Sequence, residues 1–302
     1  MLAIAVVVDL GAFQGRLREL LPASPAALPI YSLVFGFPHV LASFFLLGDR
    51  ELTRGAMPVL VPSAVAAAVG TLLALTLLDS KQIALALILT TMVHVVGQQT
   101  GMAAGQAGLA RLPHGLWPMR IWRVLMAGVG CTAATAIGGE AMVPVTELPE
   151  PWLVAAGMFL LGSVPLGAWL AYQARRHGGD VRALLSMQFT AIVGYGLVVL
   201  GYPLLSIWLF RCVHDVTAFL VYGTVANARA RAAPGANKLY AWLGLRGGWI
   251  AWCLWPLSIA LTSVAALALP GGVLVCLSWT HYLAEHRIWK HGSPLRQWLV
   301  LR

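Results

Sequence analysis

Apolar runs of about 20 residues, long enough to cross the hydrocarbon core of a bilayer as helices, recur along the chain between short stretches where Arg, Gly and Pro collect. They predict nine spans, at about 27–48, 56–78, 83–108, 120–138, 152–173, 184–202, 204–228, 249–269 and 271–289. The break between the sixth and seventh rests on the turn-prone Gly-Tyr-Pro at 201–203. The opening MLAIAVVVDLGAF has no basic flank and is interrupted by Asp9, which predicts a short interfacial or packing segment rather than a cleaved signal. No tandem repeat is evident, and the longest connection, roughly 229–248, is too short for a separate domain. The expected fold is an all-α, polytopic transmembrane helix bundle, one membrane-embedded domain over residues 1–302.

Composition agrees with this pattern. Of 302 residues, 59% are hydrophobic and 10% charged, against roughly 25% charged in soluble domains. The net charge of +9 does not point to nucleic acid, because the basic residues sit in loops between spans, where they read as topology signals and headgroup anchors. Arg50 and Arg54 follow the first span, Arg111, Arg120 and Arg123 the third, and Arg175, Arg176 and Arg182 the fifth. Arg229, Arg231, Lys238 and Arg246 follow the seventh; Arg287, Lys290, Arg296 and Arg302 the ninth. The intervening loops are poor in basic residues, so a bacterial-type inner (plasma) membrane protein with a cytoplasmic C-terminus and an outside N-terminus is expected. Arg16 and Arg18 oppose that orientation. Cys131, Cys212, Cys253 and Cys276 are single and lie in apolar segments, as buried spectator thiols do. Many of the 12 tryptophans fall near predicted span ends, where interfacial belts form.

Histidine placement is the chemical signal. His114, His177 and His291 fall in loops, and His286 reads as an interfacial residue beside Arg287. His39, His94, His214 and His281 instead lie ten to twelve residues into four different predicted spans, about 15–18 Å from each helix start and near the midplane of a 30 Å core. One buried imidazole is satisfied by a backbone carbonyl or a hydroxyl; four at one depth are better satisfied by one shared divalent metal. Gln98, one turn after His94, is placed to bond a ligand or a bound substrate. Asp215 lies about 100° around the helix from His214, an orienting position, and it forms an i,i+4 pair with Arg211. Glu285, one turn after His281, is a carboxylate ligand or an acceptor for an imidazole N–H. Histidine nitrogen with a carboxylate and no thiolate suits iron, zinc or copper. At membrane depth a redox metal implies a lipid-soluble substrate, so non-haem Fe(II) with dioxygen as co-substrate is the first expectation.

The segments FGFPHVLASF, TTMVHVVGQQ, FRCVHDVTAF and THYLAEHRIW resemble, in order and approximate spacing, the histidine motifs of the Brp/Blh-type membrane proteins, which include bacterial enzymes that cleave β-carotene to retinal. The resemblance implies a membrane-embedded non-haem iron dioxygenase with ligands at His39, His94 and His214. Two departures stand out. The family's late motif has a second histidine four residues on, where this chain has Ala218, and its first motif continues Gly-Ala-x-Asp, where this chain has Val40, Leu41, Ala42 and Ser43. His281, with or without Glu285, is the replacement ligand, and the lipophilic substrate is then carotenoid-like or another lipid. The expected partners are the bilayer and that substrate. Two other classes use the same residues: a haem-binding electron carrier with two axial histidines, and a proton-coupled transporter with a His, Asp215 and Glu285 relay.

Overall fold

A computed structural model describes residues 2–21, 34, 36–112, 115–142 and 150–288. Its helices are α1 (Leu2–Ala12), α2 (Arg16–Leu20), α3 (Phe37–Phe45), α4 (Arg50–Leu77), α5 (Ser80–Gln106), α6 (Leu116–Met142), α7 (Glu150–Arg176), α8 (Arg182–Val199), α9 (Pro203–Ala232), α10 (Lys238–Trp242), α11 (Trp249–Ala268) and α12 (Gly271–Ile288). Short 3₁₀ turns cover Leu46–Gly48 and Leu109–Arg111. The one extended pairing among the described residues is an isolated bridge between Asp49 and Asn237. An all-helical chain is what hydrocarbon solvent demands, because each backbone N–H and C=O must find its partner within its own segment.

Six helices are long and apolar enough to cross a membrane: α4, α5, α7, α8, α9 and α11. They coincide with six predicted spans and make the chain an integral membrane protein. The predicted break at 201–203 is present, with α8 ending at Val199, Gly201 at φ +82° and α9 starting at Pro203. The count of about nine is not met among the described residues. The first predicted span is represented by the short apolar stretch Phe37–Gly48, because Pro38 occupies the first turn of α3 and Asp49 already caps α4; residues 27–33 of that expectation lie outside the described residues. The fourth coincides with part of α6, helical throughout its 27 residues. The ninth lies in α12, whose 18 residues include His281, Glu285, His286 and Arg287 and so fall short of a span's apolar character. His114, His291 and most of the acidic loop after α6 lie outside the described residues.

The helices sort into two compact units, one of Met1–Leu28 and Ala84–His214, the other of Pro29–Ile83 and Asp215–Arg302. In the first, α6, α7 and α8 pack around the fully buried Trp122, Met126, Leu170 and Leu184. Gln188 ties these three helices together. Its Oε1 accepts from Trp122 Nε1 at 3.0 Å and its Nε2 donates to Ser163 Oγ at 3.0 Å. Asp9, on α1, accepts from Leu17 N at 2.9 Å and from the buried Tyr202 hydroxyl at 2.5 Å, so the N-terminal segment is packed down, as its sequence suggests. Burial, with the Asp9 carboxylate beside it, pushes the Tyr202 phenol up to about 12.

In the second unit α4 packs against α12, and α3 against α11. The buried face of α4 is small (Ser63, Ala67, Thr71, Ala74), while Val61, Val65, Val69, Leu72 and Leu73 point outward. Small residues let helix backbones approach, and large apolar ones meet lipid tails, which solvate them as well as a core would. The turn between α3 and α4 is held by a polar clamp outside the spans. Asp49 accepts from the backbone N–H groups of Glu51 (2.9 Å) and Leu52 (3.2 Å) and from Arg229 Nε (2.7 Å), while Arg229 also bonds Glu51. Asn237 donates to Phe45 O at 2.9 Å and caps α10 by accepting from Tyr240 N at 3.1 Å. Burial alone would raise the Asp49 pKa, but Arg229 and the two N–H groups hold it below the usual carboxylate range.

Candidate metal centre

The second unit gathers His39, Asp215, His281 and Glu285, all fully or almost fully buried. His39 stands in the first turn of α3. Its Nδ1 lies 2.7 Å from Gly36 O and 3.1 Å from Asp215 Oδ1. Both neighbours are acceptors, so Nδ1 carries the proton and Nε2 presents its lone pair. His281 and Glu285 occupy successive turns of one face of α12. Ser43, one turn after His39 on α3, donates its hydroxyl proton to Val40 O at 2.7 Å and lies 2.9 Å from His281 Nδ1. The proton on the His281 ring is placed by Ser43 at Nδ1 together with His39 and Glu285 at Nε2.

The two imidazoles meet at their Nε2 atoms. His39 Nε2 is 3.1 Å from His281 Nε2, and Glu285 Oε2 is 3.1 Å from the same nitrogen. The two rings meet edge to face, with centroids 4.8 Å apart. His281 Nε2 is the shared member of both contacts, so the two imidazoles and the carboxylate form one buried chain of hydrogen-bonding groups.

The other Glu285 oxygen, Oε1, accepts the hydroxyl of Tyr222, which is fully buried on α9. Ser43, Tyr222, His281 and Glu285 line a small cleft together with Phe44, Leu46, Leu47, Leu60, Ala284 and Ile288.

The first unit pairs the other two span histidines. His94 on α5 and His214 on α9 meet edge to face with ring centroids 5.1 Å apart, and His214 is fully buried. Gln98 follows His94 by one turn, and its Oε1 is buried without a hydrogen-bond partner among the described residues. Ala218, where the Brp/Blh pattern has histidine, packs in the apolar core of the second unit with Phe219, Ile250 and Leu254. Sequence reasoning missed Tyr222 and the partner role of Ser43. A signal for Tyr222 existed, since it follows Asp215 by seven residues and so shares its helix face. Ser43 was visible only as a departure from the family motif. In comparisons with known proteins, no family model, no curated protein and no solved structure matches the chain.

Proposed function

We propose that the protein is a membrane-embedded non-haem iron oxygenase acting on a lipophilic substrate, carotenoid-like or another lipid, that enters from the bilayer. The observation that carries this reading is the buried cluster of His39, Asp215, His281 and Glu285 in the second unit, with His281 and Glu285 beside a small, mostly apolar cleft. Fe(II) held there supplies the means of activating dioxygen. Everything else falls to the chain's own residues. His39 and His281 are the ligands put forward in the second unit, Asp215 and Gly36 O orient His39, and Ser43 and Glu285 contact His281. Sequence position alone puts His94 and His214 forward as further ligands, with Gln98 one turn after His94 for a ligand or substrate contact. The order of the histidine motifs supports kinship with the Brp/Blh-type proteins, and the alternation of basic loops supports a cytoplasmic C-terminus.

The test is oxygen uptake by the Fe(II)-loaded, detergent-purified protein with a total membrane lipid extract, and mass spectrometry of the lipids afterwards. The expected result is uptake coupled to oxygen incorporation into an apolar lipid, abolished in His281→Ala. Iron loading without lipid-dependent uptake, from any of several bacterial extracts and from carotenoids, would refute the oxygenase reading.

A further inference from the structure

Arg120 and Arg123, three residues apart near the start of α6, share one face of that helix. No Asp or Glu occurs in the chain between Asp79 and Glu140, a stretch that covers α5, the turn after it and most of α6. We propose that these two arginines bind the phosphate of one anionic phospholipid, whose acyl chains lie along the apolar face of α6 beside them.

The charge has no counterpart inside the first unit. Arg123 lies about 10 Å along the axis from the first residue of α6, and its Nε is covered by protein yet donates to no described residue. Its guanidinium rests on α5 where Gly101 leaves the room, since a Cβ there would come within 3.2 Å of Arg123 Nη2. A cation whose donor has lost water without gaining an acceptor has more to gain from an anion than a fully solvated one. The Cζ of Arg120 lies 5.2 Å from the ring centroid of Trp117, a cation–π contact that takes no hydrogen-bond donor from the guanidinium. The neighbouring turn adds to the imbalance. Asp180 N donates to Gln106 O at 3.3 Å, which joins the turn between α7 and α8 to the one between α5 and α6. Arg111, Arg175, Arg176 and Arg182 border these turns with Asp180 as the one carboxylate, and Arg182 already holds it at 2.7 Å.

What lies beside the charge selects the occupant. Trp117, Ile121 and Val124 recur at helical spacing on α6 and are all exposed. A pair of cations next to an exposed apolar stripe matches a molecule with an anionic head and an apolar tail, and tryptophan favours the headgroup level of a bilayer. A free anion would leave the stripe uncovered.

The test is native mass spectrometry of the full chain in detergent, titrated with phosphatidylglycerol or with phosphatidylcholine of the same acyl chains. Wild-type protein is expected to retain one phosphatidylglycerol in preference to phosphatidylcholine. Arg120→Gln combined with Arg123→Gln is expected to weaken that binding about 30-fold, five- to sixfold for each guanidinium that meets the phosphate. Arg175→Gln combined with Arg176→Gln removes the same charge from exposed positions at the end of α7 and is expected to bind as the wild type does. Equal retention of the two lipids by the wild type overturns the proposal without reference to any variant, which keeps it testable if the α6 variant does not fold. Equal losses in the two double variants overturn it too, by assigning the binding to overall charge, as does an α6 variant that binds like the wild type. Displacement of the lipid by millimolar inorganic phosphate would assign the arginines to a free anion and overturn the lipid reading.

Discussion

Removal of the Asp215 side chain tests how the centre is oriented. His39 Nδ1 has two acceptors, Gly36 O at 2.7 Å and Asp215 Oδ1 at 3.1 Å. Asp215→Ala removes the longer contact and the negative charge, but the backbone carbonyl still selects the tautomer that leaves Nε2 free. Partners of this kind typically contribute 10–100-fold to metal affinity. Retention of Gly36 O puts Asp215→Ala at the lower end, about tenfold, or about 1.4 kcal/mol. Asp215→Asn, which keeps an acceptor oxygen without the charge, is expected to lose less. His281→Ala removes a proposed ligand outright and is expected to lose more than about 100-fold, beyond the range for an orienting partner. Competition titration of the purified protein against a chromophoric chelator, with Fe(II) and Co(II), measures all three. An Asp215→Ala loss as large as that of His281→Ala would make Asp215 a ligand and refute the division of roles. An unchanged affinity would refute the orienting contact.

Three further outcomes are expected. Gly48→Ala places a Cβ 2.4 Å from Asn237 Oδ1, so Asn237 must shift and weaken its bonds to Phe45 O and Tyr240 N; a loss of about 1–3 kcal/mol is expected in detergent unfolding, and an unchanged midpoint would contradict the clamp. Gln188→Leu leaves the buried Trp122 N–H without its acceptor and is expected to cost about 1–3 kcal/mol, whereas the double variant Gln188→Leu with Trp122→Phe recovers part of the loss. For Asp49, whose pKa is lowered on folding, the stabilisation is present above the ordinary carboxylate pKa near 3.8 and is lost as pH falls through the lower folded value. Asp49→Asn should therefore flatten the acid limb of the stability curve, and an unaltered limb would contradict the linkage.

The sequence made the solvent, the six long helices and the Gly-Tyr-Pro break legible, because apolar length and loop charge record the bilayer directly. It misjudged α12, which looks like a span in its first half yet carries His281, Glu285, His286 and Arg287 in its second. Depth along the predicted spans singled out His39 and His281, which the fold brings within 3.1 Å of each other, and the i,i+4 rule singled out Glu285 beside His281. The side-chain roles were less legible. Asp215 was expected beside His214 on its own helix, and its partner in the fold is His39, 176 positions away in sequence; such a contact leaves no local pattern. Ser43 acts through its hydroxyl on a residue of another helix, which spacing within α3 cannot reveal.

The most direct measurement is metal content with an absorbance spectrum, on wild-type protein and on His39→Ala and His281→Ala, each purified in detergent and confirmed helical by circular dichroism. The account predicts near-stoichiometric iron without a Soret band in the wild type, and loss of that iron in both variants. Full iron occupancy in either variant, or folded wild-type protein that takes up no Fe(II) on reconstitution, would contradict it and leave the histidine and carboxylate groups as a proton relay.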